Sequence, residues 1–220
     1  MEYRIAWNGL PAAYATIDVT PGQYAGDVGY AISASASTNA FVDLFWRFRG
    51  NARATFLADR MTPMSFSYER RTNSTPEVTW IDFHAGSART RSVYIKRERR
   101  KELDIDSADL VDPITAAFRA LSSDVRVGEQ LGYRVFTGEA EYRVVLSVQA
   151  EDAIEVPAGH FEALKIEPEI IRVDPEERDR RLRRATIWVT RAPLRTILRI
   201  RSEVFIGAVT LDLVRSEGST

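Results

Sequence analysis

The 220-residue sequence contains no cysteine and only two histidines, His84 and His160. The absence of cysteine excludes disulfide bonds, thiolate metal sites and cysteine nucleophiles. Two histidines cannot form a multi-histidine metal centre, so a metal site would need a carboxylate-rich set of ligands. We therefore expect neither a cofactor nor a metal ion.

Excess charge of one sign and long apolar runs are also missing. The 30 Lys and Arg residues nearly balance the 31 Asp and Glu residues and leave a formal net charge of -1, so no overall field favours nucleic acid. No uninterrupted apolar run reaches the roughly 20 residues of a transmembrane helix. We predict a protein that neither binds nucleic acid nor spans a membrane.

Alternation of apolar and polar residues runs through most of the sequence and predicts β-strands with one wet face. Tyr142, Val144 and Leu146, for example, alternate with Arg143 and Ser147. With ten or more such strands, a flat sheet is unfavourable because twisted sheets curl or split as they grow. We predict an all-β fold, a long antiparallel sheet curled into a barrel, half-barrel or clam with one short α-helix.

Turn and helix signals divide this pattern. Asn8-Gly9 is typical of a tight hairpin turn, and Pro21-Gly22 is expected to end the second strand. Asp112 is a suitable N-cap and Pro113 a suitable first residue for the one clear helix, which would cover an open end or the concave face of the sheet. Two weaker helix candidates are residues 41–48 and 175–183. No composition shift marks a boundary, so residues 1–220 are predicted to form a single domain.

The segment at 156–166, Val-Pro-Ala-Gly-His-Phe-Glu-Ala-Leu-Lys-Ile, resembles a bacterial exported-protein family catalogued as domain of unknown function 3108. In that family a Pro-Ala-Gly turn and an aromatic residue lead into a core strand. Other landmarks resemble the family in the expected order: residues 3–7, 112–121, 186–189 and 207–211. Thr190 departs from the pattern, since an acidic residue often follows the tryptophan strand.

The resemblance implies a periplasmic or outer-envelope location, with a signal or lipidation segment absent from this sequence. It also implies a curved β fold similar to that of periplasmic lipoprotein carriers, and it supplies no catalytic residues. The residues themselves favour the same conclusion, because the Gly-x-Ser-x-Gly motif is missing and isolated histidines are usually structural. The i, i+2 carboxylate pairs are typical of solvated strand faces: Asp104 with Asp106, and Glu167 with Glu169. We predict that the protein is not an enzyme.

Two further features indicate binding. Residues 89–102 carry seven Lys or Arg against two Glu, which is typical either of a partner-binding basic patch or of a solvated sheet edge. Aromatic residues are concentrated in and around residues 41–48, and they would either fill the core or line an apolar cavity in the curved sheet. The candidate cavity residues are Trp46, Phe48, Phe56, Phe66 and Trp80.

The first functional hypothesis is a non-catalytic envelope protein that binds or carries a lipid or another apolar ligand in its curved sheet. The alternative is a structural or assembly protein of the envelope that docks another protein through a sheet edge or the basic patch.

Overall fold

The computed structural model describes residues 1–24, 26–84, 88–173, 184–191, 195–204 and 207–216. The described residues contain a 15-stranded sheet, two helices and one 3-10 turn at Asp59–Met61. The helices are α1 (Ala40–Asp43) and α2 (Pro113–Ser122). The strands are β1 (Glu2–Trp7), β2 (Leu10–Tyr24), β3 (Asp27–Thr38), β4 (Phe48–Leu57), β5 (Thr62–Thr72), β6 (Thr75–Phe83), β7 (Arg89–Lys96), β8 (Arg99–Asp106), β9 (Leu110–Val111), β10 (Gln130–Phe136), β11 (Glu141–Val156), β12 (Gly159–Arg172), β13 (Ala185–Thr190), β14 (Ile197–Glu203) and β15 (Ala208–Arg215).

Sheet order follows chain order within each half. The sequence of neighbours runs from β8 down to β1, then from β15 down to β9, so that β1 and β15 join the two halves. Every pairing is antiparallel except the short parallel contact between β9 and β10. The predicted fold class, a long curled antiparallel sheet with one substantial helix, is confirmed.

The first hairpin confirms one turn prediction and contradicts another. β1 ends at Trp7 and β2 begins at Leu10, so Asn8-Gly9 is the turn, and Asn8 has the positive φ (48°) that such a turn requires. The prediction that Pro21-Gly22 ends the second strand was wrong, because β2 continues to Tyr24. The pairing of β1 with β2 extends only as far as Thr16, so Pro21 pairs only with β3, where a missing N–H is tolerated.

Helix α2 begins as the sequence predicts. The Asp112 carboxylate accepts hydrogen bonds from the backbone N–H groups of Ile114 and Thr115, both at 2.9 Å, and from the Thr115 hydroxyl, with Pro113 in the first turn. These bonds satisfy N–H groups that have no partner inside the helix. Burial raises the pKa of the Asp112 carboxyl, and the three hydrogen bonds oppose that shift.

The two weaker helix candidates had different outcomes. In the range 41–48, helical structure covers only Ala40–Asp43, and Phe48 begins β4 because it pairs with Thr72 of β5. Strand pairing at Phe48 therefore excludes the end of the predicted range from a helix. The range 175–183 lies outside the described residues.

The hairpin loop between β10 and β11 connects the two halves of the sheet across its interior. Gly138 has a φ of +87°, and its carbonyl accepts a hydrogen bond of 2.9 Å from the buried Ser92 hydroxyl of β7. A Cβ atom on Gly138 would lie 2.2 Å from the Thr79 Cγ2 atom of β6. Only glycine allows both this backbone conformation and this close approach.

Candidate functional site: an aliphatic pocket beside helix α2

The opposite faces of helix α2 carry side chains of different size, and each face borders a different interior region of the protein. On one face, Phe118 lies against Phe56 of β4 with ring centroids 5.9 Å apart, and Ile114 packs against the core cluster around Phe66 and Phe136. The other face has small side chains, among them Ala116, Ala117 and Ala120, which line an apolar pocket. The spacing of the alanines places them on one stripe of the helix.

The inner faces of β10 to β14 form the opposite wall of this aliphatic pocket. Its volume is about 610 Å³, within the range of roughly 300–1,000 Å³ that is typical of small-molecule sites. Most of the lining side chains on these strands are aliphatic, including Val135, Val144, Leu146, Ile166, Ile170, Ile187, Val189, Ile197 and Ile200.

Strand alternation explains why this wall is apolar. In β12, Ile166 and Ile170 face the pocket while Glu167 and Glu169 on the other face are exposed to solvent. Successive side chains of a strand point to opposite faces, so one run of residues produces both surfaces. The predicted alternation of β11 has the same result, with Val144 and Leu146 facing the pocket.

Few polar groups reach the pocket lining. Tyr133 of β10 is one, and burial raises the pKa of its phenol, so the hydroxyl stays protonated at neutral pH. Arg195 is the one charged side chain among the described lining residues, and only 4% of its side-chain surface is exposed. Sites of this kind combine a mainly apolar wall with a few polar groups that orient the ligand.

Two arginines fix the position of α2. Arg119 donates from Nε and Nη2 to the Met61 carbonyl at 3.2 and 3.0 Å, which ties the helix to the 3-10 turn before β5. Arg195, beyond β13, donates to the carbonyls of Ser123 and Val125, just after the helix. Hydrogen bonds therefore connect the helix region to both halves of the sheet. They hold α2 in position as one wall of the pocket.

The five predicted cavity residues fall into three environments, and none of them lines the aliphatic pocket. Phe56 and Phe66 are buried, 1% and 7% exposed, in the solid interior of the first half of the sheet. Trp80 lies on the outer face of β6 with 42% of its surface exposed. Trp46 and Phe48 stack on each other at the end of the sheet, with ring centroids 5.7 Å apart. A ligand-binding role for these five residues stays a prediction.

The segment around α1 presents large apolar side chains to solvent. Phe41, Leu44 and Phe45 are 71%, 75% and 76% exposed. The segment is anchored by Asp43, which forms hydrogen bonds of 2.5 and 3.0 Å with the Arg49 guanidinium. These bonds to Arg49, with one from Thr38, lower the pKa of Asp43 to about 2. The hydrogen bonds between Asp43 and Arg49 therefore hold this segment and its exposed aromatic rings in place.

The groups considered for catalysis are dispersed. His84 follows β6, and His160 lies near the start of β12, 3.7 Å from the exposed Glu155 carboxylate. Neither lines the aliphatic pocket. Within the described ranges, no group of three or more His, Asp or Glu side chains is placed to hold a metal ion. The basic stretch 89–102 covers β7 and the first half of β8, and β8 is one of the two edge strands of the described sheet.

Together, the curled sheet, the helix that lies along it and the apolar space between them define a β-barrel-like protein with a partly open apolar pocket. The chain belongs to the family described as protein of unknown function (DUF3108), whose model matches residues 2–214. This match confirms the family resemblance found in the sequence. No curated protein matches this chain.

The chain is similar to several solved structures, two of which are as follows. The first is a β-barrel-like protein of domain of unknown function DUF1849 from Brucella abortus, with a TM-score of 0.61 and 10% identity, covering 97% of this chain and 94% of the other. The second, from Bacteroides fragilis, is described as a candidate exported protein with a YmcC-like fold; its TM-score is 0.42 at 11% identity, covering 97% and 92%. The first similarity supports the barrel-like fold. Among the described residues, no helix is long and apolar enough to cross a bilayer.

The apolar residues of the pocket were predicted as one face of alternating strands, and no cavity was predicted beside them. The signal that could have located the pocket is a contrast in size. Small alanines occupy one stripe of α2, and the strands after the helix are rich in Val and Ile but poor in aromatic residues. Small side chains on facing elements leave space between them that larger side chains would fill.

Proposed function

We propose that this protein is a non-catalytic binding or carrier protein of the bacterial cell envelope, and that it holds a lipid or another apolar molecule in the aliphatic pocket. The observation that carries the proposal is the pocket itself, about 610 Å³ with a largely aliphatic wall. Well-packed interiors seldom contain voids larger than a water molecule. A space of this size and composition is therefore suited to an apolar ligand.

The dispersed histidines and carboxylates support binding rather than catalysis. A general acid or base must lie within hydrogen-bond reach of the reacting group, whereas the described pocket lining contains no histidine, aspartate or glutamate. The envelope location rests on the resemblance to an exported family. The function proposed for this site is sequestration of an apolar molecule from water.

The test is a titration with Nile red, an uncharged apolar dye, after hydrophobic resin has removed co-purified compounds. We expect saturable binding at one site per chain. Ala117→Phe places a ring in the pocket and is expected to weaken binding at least about tenfold, equivalent to about 1.4 kcal/mol. Ser122→Phe adds the same ring at an exposed position near the end of the same helix and serves as the matched control.

Three results would overturn the proposal. One is the absence of saturable dye binding to the folded wild-type protein. Another is equal affinity of the wild type and the Ala117→Phe variant, with folding of the variant verified by circular dichroism. The last is an equal loss in the Ser122→Phe control, because it would place the dye outside the pocket.

A further inference from the structure

Arg195 is a buried cation in an otherwise apolar wall. Its side chain is 4% exposed, and it contributes to the pocket lining together with aliphatic neighbours such as Leu121 and Ile197. Guanidinium groups stay protonated in proteins. The pocket wall therefore carries a permanent positive charge.

The hydrogen bonds of this guanidinium are mostly to neutral groups. Nη1 donates to the Ser123 carbonyl, and Nη2 donates to the Val125 carbonyl at 3.2 Å. Nε is buried and has no hydrogen-bond partner among the described residues. The recorded ion pair is with Asp124, whose Oδ1 atom lies 4.0 Å from Nη2 and whose side chain is 83% exposed. An exposed carboxylate at that distance compensates a buried charge only weakly.

Other arginines in the protein have closer carboxylate partners. Arg199 donates to Asp212, a carboxylate that is 9% exposed, and Arg70 lies 2.7 Å from Glu77, which is 10% exposed. Burying a charge is costly unless it is paired and its hydrogen bonds are satisfied. Arg195 differs from these arginines in lacking a buried counter-ion, although it is the most deeply buried of the three.

An anionic ligand would supply that counter-ion. We propose that the pocket selects an amphiphile with one alkyl chain and a single anionic head group, and that Arg195 is the residue that selects the head group. The aliphatic wall would take the chain, while the charge of the buried guanidinium would attract the head group to the Arg195 side of the pocket. Carboxylate and phosphate both match arginine in charge and geometry. This inference rests on the proposed function, since it specifies the ligand of the same pocket.

The test compares ligands that share one chain and differ in charge. Dodecanoate, dodecyl phosphate and uncharged dodecanol would each displace Nile red from the wild-type protein at neutral pH, with the two anions below their critical micelle concentrations and dodecanol below its solubility limit. We expect at least one of the two anions to bind about tenfold or more tightly than dodecanol, because a buried cation favours an anionic partner. The stronger of the two anions would distinguish a carboxylate from a phosphate ligand.

Variants at Arg195 assign the preference to this residue. Arg195→Met is expected to abolish the preference of the pocket for an anion over dodecanol, and Arg195→Lys, which keeps the charge, is expected to retain part of it. Arg126→Met removes an exposed arginine from the loop after α2, whose Ser123 and Val125 carbonyls accept hydrogen bonds from Arg195, and should retain the full preference.

The outcomes separate this inference from the function on which it rests. Absence of Nile red binding would overturn both. Saturable dye binding with equal affinities for dodecanol and both anions would overturn only the assignment of an anionic ligand. A preference that persists in a folded Arg195→Met variant would overturn the role of Arg195. Because the first comparison uses the wild-type protein, the inference remains testable even where a variant does not fold.

Discussion

Both halves of the sheet are curved and built mainly from antiparallel strands, but their interiors differ. In the first half, aromatic side chains such as Phe66 and Phe83 meet Phe136 from the opposite half, and together they form a solid core. In the second half, Ile170 and Ile187 face a pocket of about 610 Å³. The difference shows that side-chain volume, rather than sheet topology, decides which part of a curled sheet is solid and which part is hollow.

Helix α2 shows the same contrast within ten residues. Phe118 fills space on the side of the first half, and three alanines leave space on the side of the second half. One helix thus completes a core and covers a pocket at the same time.

Truncation in the aromatic core, to which Phe136 contributes from β10 of the second half, should be the most damaging change. Phe136 is 1% exposed, so Phe136→Ala is expected to lower the free energy of unfolding by about 3–5 kcal/mol. Ile170→Ala, on the pocket wall, should cost less than about 2 kcal/mol because its side chain already borders open space. Urea denaturation measures both. Equal losses of unfolding free energy in the two variants would contradict the division into a solid aromatic core and a hollow pocket.

Gly138→Ala should be the next most damaging change. It forces alanine into a positive φ and brings Cβ to 2.2 Å from Thr79 Cγ2, with an expected cost of about 2–3 kcal/mol. Thr79→Ser removes the contacted methyl group, so the double variant should recover the part of the loss that comes from the clash. Strictly additive losses in denaturant unfolding would show that the loop does not insert against β6.

A smaller, pH-dependent effect is expected at Asp112. Burial raises the pKa of this carboxyl in the folded protein, whereas the unfolded value is about 3.9. Between the two values the folded state binds more protons, so wild-type stability should fall relative to Asp112→Asn as the pH rises above about 4. Denaturant unfolding of both proteins at several pH values tests the sign. A relative gain of the wild type with rising pH would contradict it.

The smallest effect is expected outside both interiors. Phe45 is 76% exposed, so Phe45→Ser should change the free energy of unfolding by no more than about 0.5 kcal/mol. Thermal unfolding monitored by circular dichroism gives the comparison with the wild type. A loss close to that of Phe136→Ala would mean that the α1 segment belongs to a packed core.

Local signals in the sequence predicted the elements of the fold. Asp112 and Pro113 define the start of α2 through capping chemistry that involves only neighbouring residues. Alternation predicted the inward face of β11, including Val144, because the two-residue period of a strand depends only on backbone geometry. Curling followed from the number of strands.

The location of the pocket was not predictable in the same way. Aromatic residues were predicted to line a cavity because they are large and apolar, yet large side chains such as Phe56 and Phe66 fill the space around them. A pocket depends on the distance between facing elements, here α2 and the strands β10 to β14, and periodicity within one strand contains no such distance. The exposure of Trp46 likewise depends on where the α1 segment lies relative to the sheet.

The most direct test of the account is an NMR titration with dodecanoate that records intermolecular nuclear Overhauser effects to assigned methyl groups. The hollow second half predicts contacts between the acyl chain and the methyl groups of Ile166, Ile170 and Ile187, which all line the pocket. Contacts only to Trp46, Phe48 or Trp80, or no intermolecular contacts at saturating ligand, would contradict it.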